Sequence, residues 1–180
     1  MLLAVCIYTG ANAQSPHVQF GVKGGLNFAN VHTEDSEDAL DNLTSFHLGA
    51  LAHIHMTDRF ALQPELFYSG QGAKEGDYKM KLGYLNLPVL GQVMFGEGFR
   101  IQTGPQIGYL MSAKADDEDV KDQFNKMDFS WVFGASYLTS LGLGIDARYN
   151  LGLSNINESD DYKVKNRVFS VGLFYQFAGK

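Results

Sequence analysis

Two acidic and two basic residues stand at polar positions of segments that otherwise alternate between apolar and polar side chains. They are Lys23, Glu65, Asp146 and Arg148. An isolated charge inside a protein costs several kcal/mol, so such residues have to pair or keep water. We therefore predict that the four form an ion-pair network inside the fold. The alternatives are a gated polar path, or proton or substrate chemistry at the same charges. The amides predicted to surround the network are Gln19, Asn27, Gln63, Gln102, Gln106 and Asn150.

Three histidines, His47, His53 and His55, share one face of a single alternating segment. Neighbouring same-face positions are close enough for a transition metal to contact two imidazoles. A zinc site needs further ligands, however, and no residue spacing indicates them. We predict that the histidines are polar interior residues, with no metal site and no cofactor.

Catalytic motifs are absent from the sequence. Ser, His and Asp residues occur, but no strained nucleophile motif such as G-x-S-x-G is present. The glycines between Gly21 and Gly25 lie within a strand pattern and so do not form a phosphate-binding loop. We predict that the protein is not an enzyme. A hydrolase that uses residues at the edge of the interior is the enzyme-class alternative.

The elements that position these residues are indicated by a two-residue hydrophobic alternation, which is a strand signal. In the first run, Val18, Phe20 and Val22 fall on one face and Gln19, Gly21 and Lys23 on the other. The pattern predicts eight strands, each near or above the ~9–11 residues that cross a tilted bilayer. They are Val18–Phe28, Ser45–Met56, Phe60–Gly72, Lys79–Phe95, Phe99–Met111, Asp128–Tyr137, Leu141–Leu153 and Val164–Phe177.

Connections between these strands alternate in length. Thr57-Asp58-Arg59, Gly96-Glu97-Gly98 and Leu138-Thr139-Ser140 are short, whereas the connections through Glu34, Lys74 and Asp77, Asp116 and Glu158 are longer. Short and long connections therefore fall at opposite ends, as in outer-membrane barrels. Most aromatic residues of the predicted strands fall on the face expected to meet lipid, many of them near strand ends, where interfacial aromatic residues lie. The predicted fold is all-β: an antiparallel up-and-down transmembrane β-barrel of about eight strands. A soluble lipocalin-like barrel is the alternative.

The first residues predict export. Leu2 to Tyr8 is apolar, and Ala11-Asn12-Ala13 matches an A-x-A cleavage pattern. We predict a signal peptide at residues 1–13, a barrel domain at residues 14–180 and a location in the bacterial outer membrane.

The net charge of −6 is concentrated in acidic runs at Glu34 to Asp41, Asp116 to Asp122 and Glu158 to Asp161. These runs predict solvated extracellular loops that could dock a protein partner. Nucleic acid would need a basic surface and is excluded as a partner. The second run lacks the spacing and central Gly of an EF-hand loop. Weak calcium or magnesium bridging to lipopolysaccharide remains an alternative.

Several segments together resemble the PorT-like outer-membrane β-barrel proteins of Bacteroidota-type bacteria, which are Gram-negative. The segments are Leu62-Gln63-Pro64-Glu65-Leu66-Phe67-Tyr68-Ser69 with Gly72, Tyr84-Leu85-Asn86-Leu87-Pro88-Val89-Leu90, Thr103-Gly104-Pro105-Gln106-Ile107-Gly108, and Asp146-Ala147-Arg148-Tyr149-Asn150-Leu151-Gly152-Leu153. The resemblance implies a porin-like barrel of OmpA/OmpX-like size, inserted by the outer-membrane assembly machinery. It implies no single activity.

The function predicted from these observations is a structural or partner-docking role in the outer membrane, in contact with the lipid bilayer and lipopolysaccharide. The interior is expected to be closed by the ion-pair network, because a barrel of about eight strands is only wide enough for side chains to fill. A narrow porin is the transport-class alternative.

Overall fold

The computed structural model describes residues 17–33, 41–75, 78–115, 118–154 and 164–177. Within this part of the chain nearly all residues are in β-strands, with one short 3-10 helix, Lys121–Gln123. The strands are β1 (Val18–Thr33), β2 (Asp41–His55), β3 (Phe60–Glu75), β4 (Tyr78–Phe95), β5 (Phe99–Ala115), β6 (Glu118–Asp119), β7 (Met127–Leu138), β8 (Leu143–Gly152) and β9 (Val164–Gln176).

Eight of the described strands close into one antiparallel barrel, because each pairs with its neighbour in sequence and β9 pairs back onto β1. The two-residue β6 pairs only with the end of β5 and lies outside this ring. The predicted fold is thus confirmed. Closure leaves none of the eight strands with an unpaired edge, which a lipid environment requires.

Side chains alternate across the barrel wall as the sequence pattern predicts. On β5, Phe99, Ile101 and Ile107 are exposed on the outer face, while Gln102 and Gln106 are buried inside. The aromatic residues expected on the outer face are all exposed there: Phe60, Tyr68, Phe99, Tyr109, Phe129, Trp131, Tyr137, Tyr149, Phe169, Tyr175 and Phe177. Among the described residues, no helix has the length and hydropathy needed to cross a membrane.

A polar group on the lipid-facing surface finds its partner within the barrel wall. The Trp131 indole N–H donates to Thr103 Oγ1 at 2.8 Å, and the Thr103 hydroxyl donates to the carbonyl of Val132 at 2.9 Å. Because hydrocarbon offers no hydrogen-bonding partners, this pairing removes the cost of placing an indole N–H against lipid.

The two ends of the barrel differ. The short-turn rim carries the connections after β2, β4 and β7, together with the first described residue, His17, and the last, Phe177. Its β7–β8 turn has Gly142 at φ +83°, a left-handed conformation that favours glycine. The long-loop rim carries the remaining connections. The acidic runs predicted there lie largely outside the described residues, as does the predicted signal peptide.

Several predicted strand ends were wrong, mainly at the long-loop rim. β1 continues to Thr33, β5 continues to Ala115, and β2 begins at Asp41. The predicted loop through Lys74 was also wrong, since β3 runs to Glu75 and β4 begins at Tyr78. The reason is that a backbone ladder needs no hydrophobic alternation, so pairing continues after the lipid-facing pattern has ended. At the other rim, β8 begins at Leu143 instead of Leu141, because Leu141 belongs to the turn.

The connection from β5 to β7 also contains structure that the sequence pattern did not indicate. Val120 and Phe124, from the segment around the 3-10 helix, pack against buried Leu82, Tyr84 and Leu110. The last three lie on interior positions of β4 and β5 near the long-loop rim. This connection therefore covers part of the barrel's mouth, and apolar contacts hold it there.

Candidate functional site

The four charged residues predicted to pair lie together in the middle of the barrel interior. Alternation directs Lys23 inward from β1, Glu65 inward from β3, and both Asp146 and Arg148 inward from β8. Their outward-facing neighbours in sequence, such as Val22 and Leu66, meet the lipid face. We refer to the four as the central cluster.

Arg148 is the residue that contacts the opposite wall. In the ring of eight strands β8 lies four strands from β3, the largest separation the ring allows. Arg148 Nη1 nevertheless donates to Glu65 Oε2 at 2.7 Å, and Nη2 donates to Glu65 Oε1 at 2.7 Å. This paired geometry is the strongest form of a guanidinium–carboxylate contact. A single side-chain pair thus crosses the full width of the lumen.

Lys23 and Asp146 complete the central cluster. Arg148 Nε lies 2.6 Å from Asp146 Oδ2. The Lys23 ammonium lies 3.2 Å from Glu65 Oε2 and 3.3 Å from Asp146 Oδ2, and it also sits 5.0 Å from the centre of the Phe67 ring. All four side chains are at most 5% exposed. Each carboxylate therefore has two cationic partners, and the cluster as a whole is neutral.

Amide side chains extend the central cluster along the wall. Gln63 Nε2 donates to Glu65 Oε1 at 2.7 Å. Gln92 Nε2 in turn lies 3.0 Å from Gln63 Oε1 and 2.8 Å from Gln102 Oε1. These glutamines come from the adjacent strands β3, β4 and β5. The chain of amides helps to orient the Glu65 carboxylate, because Gln63 donates to Oε1, the oxygen that Lys23 does not contact.

Toward the long-loop rim, a second polar group surrounds Asn27. Its Nδ2 donates to Ser69 Oγ at 3.0 Å and to the carbonyl of Gly70 at 2.8 Å, and its Oδ1 lies 2.9 Å from His47 Nδ1. Among the other amides predicted nearby, Gln106 Nε2 donates to Ser130 Oγ at 3.0 Å. Gln19 is half-buried and Asn150 is buried.

The three histidines do not converge on one point. His53 and His55 lie near the short-turn rim with ring centroids 4.5 Å apart, whereas His47 lies higher and contacts Asn27. Within the described ranges, no group of three or more His, Cys, Asp or Glu residues could hold a metal ion.

Two buried charges were missed by the sequence reasoning. Arg100 donates to Gln176 Oε1 at 3.2 Å near the short-turn rim, and Asp128 is buried near the long-loop rim. The two-residue alternation of β5 and β7 could have indicated both, because Arg100 and Asp128 occupy strand positions whose side chains point into the barrel. The interior also holds more apolar side chains than expected, among them Phe67, Leu90 and Phe174.

A closed barrel with an apolar outer face and buried charged side chains inside defines a class: the transmembrane β-barrels of bacterial outer membranes. Residues 12–158 match the family described as outer membrane protein beta-barrel domain, and the chain belongs to that family. The protein therefore resides in the bacterial outer membrane, within its lipid bilayer. No curated protein sequence matches the chain.

Solved structures share the fold. Neisserial surface protein A superposes with a TM-score of 0.64 at 15% identity, covering 88% of this chain and 97% of its own. Ail, the attachment invasion locus protein of Yersinia pestis, gives a TM-score of 0.57 at 14% identity over 88% of this chain and 98% of its own. Ail in complex with the heparin analogue sucrose octasulfate gives 0.55 at 15% identity over 89% and 99%. At these identities the likeness concerns the fold.

Proposed function

We propose that this protein is a closed outer-membrane barrel that acts through its extracellular loops, in a structural or partner-docking role, and conducts no solute. The observation that carries the proposal is the Arg148–Glu65 contact, which joins opposite walls of the lumen with two hydrogen bonds of 2.7 Å each. Within the family, the segments quoted above favour a PorT-like member.

Energetics support a closed interior. An eight-stranded barrel has room for side chains and little more. A solute passing the central cluster would have to separate at least one of the four ion pairs and leave a carboxylate or cation desolvated, which costs several kcal/mol.

Orientation follows from the general form of outer-membrane barrels, in which short turns face the periplasm and long loops face outward. The long-loop rim then presents the acidic runs to the exterior. Glu34 to Asp41 contains five acidic and no basic residues, and Asp116 to Asp122 contains five acidic residues and one lysine. Divalent-cation bridging to lipopolysaccharide and assembly by the outer-membrane machinery are part of this proposal.

Charge complementarity determines the kind of partner proposed. Ail has been solved with a polyanionic heparin analogue, whereas the acidic runs here would repel a polyanion. A protein partner with a basic surface fits them, since opposite potentials steer association and like charges oppose it.

Catalysis is not part of the proposal. Glu65 and Asp146 are fully engaged with cations, and His47 contacts the amide of Asn27. Among the side chains that the structure describes, no serine or threonine hydroxyl hydrogen-bonds to a histidine, which is the pairing an activated nucleophile would use.

The docking role is tested on intact cells that express the protein at matched levels. We expect a fluorescent lysine-rich peptide to bind these cells more than cells carrying a variant in which the five acids of Glu34 to Asp41 are changed to amides. Binding should weaken steeply with added salt. A matched control carries the same change at Asp58 and Glu97 in the short turns and should bind like the unmutated protein. Equal binding by the loop variant would contradict the docking role and the outward orientation.

A further inference from the structure

Asp128 is a buried carboxylate, and no cationic side chain among those that the structure describes forms an ion pair with it. Its Oδ1 accepts a hydrogen bond from Ser154 Oγ at 2.7 Å, and its Oδ2 accepts one from Asn166 Nδ2 at 3.3 Å. Both donors are neutral. The residue is 4% exposed, and no cation of the described chain lies within ion-pair distance. In the central cluster, by contrast, each carboxylate has two cationic partners.

Further oxygen atoms without partners lie beside Asp128. Gln71 and Gln106 line a narrow polar cavity together with Asp128, Ser130, Asn150 and Asn166. Both glutamines are more than nine-tenths buried, and the side-chain carbonyl oxygen of each has no hydrogen-bond partner. The amide nitrogens are engaged, since Gln106 Nε2 donates to Ser130 Oγ and Gln71 Nε2 donates to Ser69 Oγ at 3.4 Å.

The side chains that line the cavity suit a hard cation. Ca²⁺ binds carboxylate and carbonyl oxygens at about 2.3–2.6 Å. Mg²⁺ usually keeps several of its waters and is therefore disfavoured.

We propose that Asp128, Gln71 and Gln106 bind one hard cation of calcium size near the long-loop rim of the lumen. Ca²⁺ takes about six to eight oxygen ligands, and the side-chain oxygens of Ser130, Asn150 and Asn166 in the same lining would complete the set. The carboxylate supplies the charge, and the two amide oxygens supply neutral ligands. The strands β3, β5 and β7 each contribute one of these residues, so the ion would tie together three parts of the barrel wall. A single carboxylate predicts weak binding, about 10⁻⁴–10⁻³ M for Ca²⁺, as in extracellular calcium modules.

The test measures the thermal unfolding of the refolded protein in zwitterionic detergent, after removal of divalent ions by chelation. The added salts are calcium, magnesium, sodium and choline chlorides at equal ionic strength. We expect Ca²⁺ to raise the unfolding temperature above the choline value in a saturable way, with Mg²⁺ less effective. A comparable response to Na⁺ would identify the monovalent ion of similar size as the occupant.

Variants separate this site from the acidic loops. Asp128→Asn should abolish the cation response, and Gln106→Leu should weaken the apparent Ca²⁺ affinity by about tenfold or more. The loop variant Asp122→Asn and the turn variant Glu97→Gln should respond like the unmutated protein. The proposal is overturned if the unmutated protein shows no response, if all salts act equally, or if Asp128→Asn keeps the response. If Asp128→Asn does not refold, Gln106→Leu provides the test. The proposal is then overturned if Gln106→Leu responds to Ca²⁺ with the same apparent affinity as the unmutated protein.

Discussion

Arg148→Ala is expected to lower the free energy of unfolding by about 3–5 kcal/mol, the range typical of removing one partner from a buried ion pair. The substitution removes both hydrogen bonds to Glu65 and the contact with Asp146. Lys23 then remains as the one cation of the cluster facing two carboxylates, in a site where Glu65 is fully buried. Urea titration of the protein refolded into lipid vesicles measures the change.

Two further variants identify the cause of this loss. Arg59→Ala, in the exposed turn after β2, should change stability by less than about 0.5 kcal/mol, as surface substitutions usually do. Adding Glu65→Gln to Arg148→Ala should restore part of the lost stability. The change neutralises one of the two carboxylates that have lost Arg148, and it keeps the side-chain volume. A stability of Arg148→Ala equal to that of Arg59→Ala, or a larger loss when Glu65→Gln is added, would contradict a stabilising role of the buried ion pair.

The second large effect concerns the lipid face. Leu48 points outward from β2 and is 63% exposed. It pairs with Gly24, next to Lys23, so it lies at the depth of the central cluster. Leu48→Arg should cost about 2–4 kcal/mol, the penalty for a basic side chain at the bilayer midplane. The same urea titration in vesicles measures it.

Met56 provides the matched control, because it is equally exposed, at 64%, but lies at the short-turn rim just beyond the end of β2. Met56→Arg should cost only about 0–1 kcal/mol, since the side chain can reach the interface. Equal costs at the two positions would mean that Leu48 does not face the hydrocarbon core.

Much of the fold was predictable because a barrel wall imposes a strict two-residue period. That period placed Lys23, Glu65 and Arg148 on the inward face and Phe20 and Leu48 on the outward face. It could also have placed Arg100 and Asp128, which share the inward phase of β5 and β7. Strand ends were less predictable, since pairs such as His32 with Lys165 extend the ladder beyond the lipid band.

Contacts across the lumen are less accessible to sequence reasoning. That Arg148 meets Glu65 depends on barrel closure and on the register of every strand pair between β3 and β8. A shift of two residues in one pair would keep every side chain on its own face and still separate the two. The packing of Phe124 against Leu82 was likewise unpredictable, because the connection to which Phe124 belongs has no periodic pattern.

The most direct test of the closed lumen is single-channel recording of the unmutated, refolded protein in a planar bilayer. Barrel insertion is first verified by the heat-dependent change in gel migration. We expect no steady open level, because the Arg148–Glu65 pair joins opposite walls of the lumen and Gln63 hydrogen-bonds to it. A steady channel of large conductance in the unmutated protein would contradict the closed lumen and establish the narrow porin instead.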